Sequence, residues 1–238
     1  MTTHPLAEQP ISPDHIGLLE GLATTRSIRR YRDEPIPEQV LRDLSFAASR
    51  APSGSNRQAF RLLFLTEGEL ADRAKALIAR GAERVWSAKR TADGYDKGSG
   101  SHGDSPKGRM ARAMDEHVAN LSRVPALVFP VLLRHRASTP TEGASVYPAV
   151  QNLLLAARAQ GYGGVLTMWH TTVETELRSL LKLPENGFLA ATITLGKPVG
   201  GHGPVRRQPL STFVFHNSWG STPAWAVDPP GTHHTGTG

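Results

Sequence analysis

Residues 24–37 read TTRSIRRYRDEPIP, with four arginines between positions 26 and 32. Fixed positive charge at that density serves a salt-bridged surface turn, a phosphate clamp or a nucleic-acid contact. In a surface turn, Asp33 and Glu34 act as local counter-ions. In a clamp, Arg26, Ser27 and Arg29 converge on one dianion. Guanidinium forks bind phosphate oxygens bidentately, and a hydroxyl adds a neutral donor. Nucleic-acid contact calls for basic residues interleaved with aromatics. Only 6% of this chain is aromatic and no nucleic-acid motif is present, so no nucleic-acid partner is expected. On this stretch alone the salt-bridged turn is the simplest reading.

The composition around it is that of an ordinary globular protein. With 238 residues, 39% of them hydrophobic, the chain can bury a proper core. Its formal charge of +6 favours anionic partners in general. The absence of cysteine excludes disulfides and thiolate metal sites. Ten histidines are scattered without the His-x-x-x-His spacing and carboxylate of a helical metal site, so no metal is expected. The start, MTTHPLAEQPISPD, lacks a basic region followed by an apolar run. The longest apolar stretch, PALVFPVLL (125–133), is too short to span a bilayer and contains Pro130. A cytoplasmic protein without a membrane partner is expected.

A single domain over 1–238 fits this pattern, with a loose arm (1–12), a polar, glycine-rich mobile loop (87–109) and an extended tail (222–238). Ser12 and Pro13 form a helix start, with Ile16, Leu19 and Ala23 on one face. A second helix begins near Pro37, and Val40, Leu41, Leu44, Ala47 and Ala48 repeat at helical spacing. Further helices are predicted over 69–80, 110–123, 146–160 and 174–182, with Gly161 ending the third of these. Strands are predicted at FRLLFLT (60–66), ALVFPVLL (126–133) and FLAATITLG (188–196). Three or four strands among so many helices suit an α+β domain better than a large parallel sheet. Such a small sheet leaves apolar helix surface for a partner chain.

Three other stretches carry chemistry. APSGSNRQAF (51–60) ends a helix and exposes short side chains and open amides, so its main chain can approach a flat ligand. GYGGVLTMWH (161–170) passes from a helix end into glycine-rich and then apolar backbone, suited to lie along an aromatic face. GPVRRQPL (203–210) adds a second arginine pair. In an extended run Arg206 and Arg207 point to opposite sides, so at most one joins a phosphate site. Trp169 and Tyr147 are candidates for a pocket lining as well as for the core.

Taken in order, TTRSIRRYRDEPIP, AASRAPSGSNRQAF, YPAVQNLLLAARAQGYGG, LRSLLKLPENGFLAATITLGKP and GPVRRQPLSTFV resemble the FMN-dependent nitroreductase family, in particular its oxygen-insensitive, mycobacterial-type members. The resemblance implies an α+β nitroreductase-like fold, a small central mixed or antiparallel sheet flanked by helices, in an intertwined homodimer with flavin at the interface. It implies that Arg26 and Ser27 hold the phosphate and ribityl end, joined by Arg206 or Arg207, of which Arg207 is the better match. Arg29 would lie by the pyrimidine edge. Pro52, Ser53, Gly54 and Asn56 would come from the other chain and pack along the ring, and Val165, Leu166 and Thr167 would pass near N5 and O4. Three departures stand out. Thr25 replaces an arginine common in relatives, Ala59-Phe60 stands where relatives have Pro-Trp, and the flavin contacts after the first strand have no clear match.

The implied activity is NAD(P)H-dependent reduction of nitroaromatic or quinone-like acceptors by ping-pong hydride transfer through flavin N5. NADPH or NADH is the reductant, Arg29 lends electrostatic support, and no residue acts as catalytic acid or base. Two alternatives share the fold: an oxidative flavin-fragmenting enzyme like dimethylbenzimidazole synthase, and a non-catalytic flavin-sequestering protein. The 87–109 loop is expected to fold over the site, with Lys89, Arg90 or Lys107 favouring NADPH.

Overall fold

A computed structural model describes residues 16–235. The arm at 1–12 and the Ser12–Pro13 helix start lie outside the described residues, as do the last three residues of the tail. Five strands form one sheet: β1 (Phe60–Leu65), β2 (Ala126–Leu133), β3 (Gly163–Thr167), β4 (Gly187–Leu189) and β5 (Thr192–Gly196). The order is β1-β2-β5-β3, with β4 also beside β2, and every pairing is antiparallel. Six α-helices accompany it among the described residues: α1 (Leu18–Thr24), α2 (Glu38–Ser49), α3 (Glu69–Ala92), α4 (Pro106–Ala119), α5 (Tyr147–Ala159) and α6 (Glu174–Leu180).

The central strand explains the layering. β2 is buried along nearly its whole length, as a strand covered on both faces must be. Leu127, Phe129 and Val131 point to one face, against Ala71, Ala74 and Ile78 of α3. Ala126 and Val128 point to the other, with Ile193 and Leu195 of β5, against Leu44 of α2 and Leu153 of α5. Leu44 and Leu153 are wholly buried, each stabilising the fold by about 2 kcal/mol. Pro130, awkward inside a central strand, stands where the partner of β2 changes. Residues 126–128 pair with β5 and 131–133 with β4, so the missing N–H falls at the changeover.

Three expectations change. The run 188–196 is two strands, broken at Ala190-Ala191, where the chain crosses between the two registers. The helix expected to stop at residue 80 continues to Ala92, because Ala82 and Trp86 remain on its buried face. The stretch 87–109 is therefore no simple loop. Its first part belongs to α3, and its last part opens α4, where Ser105 Oγ accepts from Gly108 N at 2.8 Å and Pro106 takes the first turn. Only 93–105 connects the two helices, with a short 3₁₀ turn at Gly98–Ser101. Gly161 ends α5 at φ 78°, as its position suggested. The described part of the tail is irregular but tied back: Thr235 N donates to Arg207 O at 2.9 Å, and Leu210 N to Asp228 Oδ2 at 3.0 Å.

Candidate functional site

The arginine-rich stretch runs along the β3 edge of the sheet. Ile28 N donates to Gly164 O at 3.0 Å, Arg32 N to Lys197 O at 2.8 Å, and Val199 N to Arg30 O at 3.0 Å. Val205 N reaches Ala23 O at 3.0 Å, so the chain carrying Arg206 and Arg207 returns beside the residues leading into Arg26. Two glycines permit this approach. A Cβ on Gly163 would stand 2.5 Å from the Ile28 side chain, and one on Gly164 would stand 2.5 Å from the Thr194 carbonyl oxygen.

The arginines divide into two sets. Arg30 pairs with Glu116 of α4 at 2.6 Å, and Asp33 is taken by Arg123 at 2.8 Å. Among the described residues Arg26, Arg29, Arg206 and Arg207 form no ion pair. Nor does Arg32, whose sequence neighbour Asp33 is taken by Arg123. Arg29 is half-buried, and its pKa is lowered by burial and by the neighbouring charge of Arg26. A half-buried cation without a carboxylate stands ready for an anion from outside. Arg207 is more committed than Arg206. Its Nη1 donates to the Arg206 carbonyl at 2.8 Å, while the Arg206 guanidinium has no hydrogen bond among the described residues.

Beneath Arg29 lie three side chains that sequence reasoning missed. Tyr31 Oη donates to Ile28 O at 2.5 Å and lies 2.7 Å from Thr194 Oγ1, and Thr194 Oγ1 lies 3.4 Å from Nε2 of His117. Burial raises the Tyr31 phenol well above its ordinary range. Burial, reinforced by the Arg29 charge, pushes His117 down to about 4, so the imidazole is neutral. The signals were present: two threonines, 192 and 194, in an otherwise apolar buried strand, and a histidine on the inward face of α4. Nearby, His202 Nε2 faces Tyr162 O at 3.0 Å, and its pKa is lowered by burial, then by Arg158 and Arg26.

The rest of the β3 edge follows strand alternation. Val165 is buried, Leu166 is 36% exposed, and Thr167 Oγ1 donates to Thr192 O at 3.1 Å. Leu166 and the exposed Met168 present apolar surface beyond the sheet. Trp169 is a core residue packed on His117, and Tyr147 Oη donates to Ala190 O at 3.0 Å.

The turn at 52–58 is elsewhere, leading into β1 on the opposite edge. Ser55, Asn56 and Gln58 adopt φ values of 53°, 51° and 50°, the left-handed region that favours glycine. Ser53 Oγ accepts from Gln58 N at 2.9 Å, and Gly54 N donates to Ser145 Oγ at 3.2 Å. With the ion pair of Arg134 and Glu142 behind it, the turn borders a cavity of about 140 Å³. None of its hydrogen bonds reaches residues 26–29 or 165–167. One copy of the chain thus brings Arg26, Ser27 and Arg29 to Val165–Thr167 and the second arginine pair, but leaves Pro52–Asn56 apart. The cations expected to reach over the site are occupied. Lys89 pairs with Asp93, Arg90 with Asp115, and Lys107 Nζ stands 5.3 Å from the centre of the Tyr95 ring.

A model of the nitroreductase family matches residues 22–197, from α1 through the last strand. The chain belongs to the nitroreductase family. Membership makes it an oxidoreductase by family, and the matched span includes the site residues above except His202, Arg206 and Arg207. A similar curated protein is an NADH dehydrogenase of Thermus thermophilus, 29% identical over 197 residues, which cover 80% of this chain and 91% of the relative. A solved FMN and NADPH-dependent nitroreductase, NfnB from Sphigopyxis sp. strain HMH, superimposes with a TM-score of 0.65 at 20% identity, covering 86% of this chain and all of NfnB. Iodotyrosine deiodinase bound to FMN and 3-iodo-L-tyrosine gives a TM-score of 0.59 at 25% identity, covering 81% of this chain and 95% of that one. The nitroreductase fold is thus shared by sequence model and by structure. No helix among the described residues is long and apolar enough to cross a membrane.

Proposed function

We propose that the protein is an FMN-dependent NAD(P)H oxidoreductase that reduces nitroaromatic or quinone-like acceptors. The observation that carries this reading is the sorting of the arginines. Arg30 takes the nearby carboxylate of Glu116, while Arg26, Arg29 and Arg206 keep their charge unneutralised around one edge of the sheet. The residues fit the cofactor. A phosphomonoester needs cationic and hydroxyl donors, which Arg26, Ser27 and Arg206 or Arg207 supply. A flat ring needs backbone donors and closely approaching main chain, which the left-handed turn at 52–58 supplies.

FMN, held by Arg26, Ser27 and Arg206 or Arg207, would supply the hydride chemistry between NADPH or NADH and the acceptor. The chain's own part is to hold, orient and polarise. Arg29 is placed to favour negative charge at the pyrimidine edge. Its partial burial strengthens that effect over what a solvated arginine would exert. Leu166 and Met168 offer an apolar wall. No residue near Arg29 is arranged as a general acid or base, since His117 is buried, Tyr31 is half-buried, and both are committed to neighbours. The separation of the turn from the arginines within one chain supports a homodimer, in which the turn of a second copy completes each site. The exposed Leu18, Leu19 and Leu22 of α1 and the exposed Trp219 and Trp225 of the tail offer apolar surface for that contact.

The absorption spectrum of the purified protein tests the reading first. A yellow protein that releases FMN on denaturation and bleaches when mixed anaerobically with NADPH or NADH is expected. Retention of flavin without bleaching would favour a sequestering protein, and fragmentation of the reduced flavin in air the flavin-fragmenting alternative. A colourless protein that takes up no added FMN overturns the proposal.

A further inference from the structure

A polar cluster built on a buried threonine and a buried histidine stands directly behind Arg29, and the proposed chemistry does not use it. Thr194 is fully buried in β5 and His117 is 1% exposed on α4. The single Thr194 hydroxyl lies between two partners, Tyr31 Oη at 2.7 Å and His117 Nε2 at 3.4 Å. Tyr31 in turn donates to the Ile28 carbonyl at 2.5 Å, and His117 lines the same cavity as Arg29 and Tyr31. The proton count is consistent for neutral histidine. The protons run one way: Nε2–H of His117 donates to Thr194 Oγ1, Thr194 donates to Tyr31 Oη, and Tyr31 donates to Ile28 O. Each member is thereby satisfied, and the Ile28 carbonyl, next to Arg29, is fastened to the middle of the sheet. Trp169 closes the far side, with its ring 5.2 Å from that of His117.

We propose that His117 is a positioning residue, acting with Thr194 and Tyr31 to fix the backbone of residues 28–31 so that the Arg29 guanidinium is preset for the flavin. The inference rests on the FMN reading above. The network addresses a specific difficulty. Arg29 sits on an irregular segment outside the sheet, with no carboxylate to hold it, and an unanchored segment would have to be ordered each time the cofactor binds. The hydrogen bonds instead tie its main chain to β5, the strand beside β2, where burial excludes competing water. Of the charged groups around His117, Arg29 faces the ring, Glu116 is its neighbour on α4, and Arg30 is held by Glu116.

The test titrates FMN into flavin-free full-length protein, following flavin fluorescence, and measures the midpoint potential of the bound flavin. His117→Leu keeps bulk but neither donates nor accepts. His117→Gln can still donate to the Thr194 hydroxyl. Thr194→Val deletes the shared hydroxyl at nearly constant volume. His117→Leu and Thr194→Val are expected to bind FMN about tenfold more weakly, with the midpoint potential shifted negative as Arg29 is loosened, and His117→Gln within about threefold of wild type. A merely space-filling histidine would leave the potential unmoved in every variant, and that result overturns the inference. So does wild-type affinity and potential in a cooperatively melting Thr194→Val, which settles the question even if His117→Leu does not fold. Wild-type protein that takes up no FMN refutes the cofactor reading and the inference together, whereas wild-type uptake with unaltered variants refutes the inference alone.

Discussion

The two edges of the sheet hold their functional residues by opposite means. At the β3 edge, residues 26–32 are hydrogen-bonded to β3 and to residues 197–199, and a buried Tyr–Thr–His network fixes them from behind. At the β1 edge, the 52–58 turn rests on its own local bonds, one contact to Ser145, and three non-glycine residues at positive φ. One half-site is set by the core, and the other is set by its own backbone and largely exposed. The charged half, which must hold unpaired cations in place, needs the core behind it. The half proposed to offer amides to a ring needs only a defined local shape.

Glycine substitutions separate the two most sharply. Gly164→Ala would drive a methyl to 2.5 Å from the Thr194 carbonyl oxygen and 3.2 Å from Leu154, both in packed surroundings. It should destabilise the fold by about 3 kcal/mol, a fall in Tm of roughly 10 °C for a chain of this size. Gly54→Ala meets only Ser145 Oγ, at an ordinary 3.4 Å, and should change stability by less than about 0.5 kcal/mol. Equal melting temperatures for the two variants would remove the distinction between a core-set and a locally set edge.

Acid should attack the β3 edge selectively. His117 has its pKa pushed from 6.5 down to about 4 by burial and by Arg29, so the unfolded chain takes up the proton first as pH falls. The stability that neutral His117 contributes is present above about pH 6.5 and is lost progressively toward pH 4, up to about 3 kcal/mol in all. Burial lowers His170 and His202 in the same direction, steepening the slope. Denaturant titrations at pH 7.0, 5.5 and 4.5 should show that slope, reduced in His117→Gln. A variant whose pH dependence parallels wild type would place the acid sensitivity elsewhere.

Charge removal sharpens the contrast between paired and unpaired arginines at the same edge. Arg26→Ala should weaken FMN binding by about 2 kcal/mol, between ten- and a hundredfold, since a charge-assisted bond to phosphate is lost with nothing gained. Arg30→Ala removes an exposed pair with Glu116 and should alter FMN affinity less than about threefold. Fluorescence titrations of the two variants side by side check the ratio. If Arg30→Ala is the more damaging, the sorting of arginines by their acidic partners does not report their roles.

What the sequence disclosed divides along similar lines. Helical periodicity at 40–48 and 146–160 was plain because both helices bury one face against the sheet. The end of α3 was obscured, since after Trp86 only polar residues and alanines continue it and its anchoring contacts come from α4. The Ser105-Pro106 start of α4 was a readable cap hidden in a run of Gly, Ser and Lys. The arginine stretch announced itself. Which arginines stay unpaired did not, because that depends on Glu116, a residue of a helix that only tertiary packing brings near. The Tyr31–Thr194 contact spans 163 positions, beyond any local pattern.

The smallest expected effect probes the β1 edge from inside. Ser55 sits at φ 53° and ψ 29° without a side-chain hydrogen bond of its own among the described residues. A serine there loses some energy that glycine would not, while glycine widens the unfolded ensemble. The two nearly cancel, so Ser55→Gly should stabilise the fold by only about 0.5 kcal/mol in denaturant titrations. The binding consequence should run the other way. A glycine relaxes the turn before any ring is bound, so FMN affinity should fall by about twofold even as the fold gains stability. Stability and affinity moving in opposite directions would be the mark of a locally strained half-site. A loss of both would mean that Ser55 is held by contacts outside its own turn, such as those of a second copy of the chain.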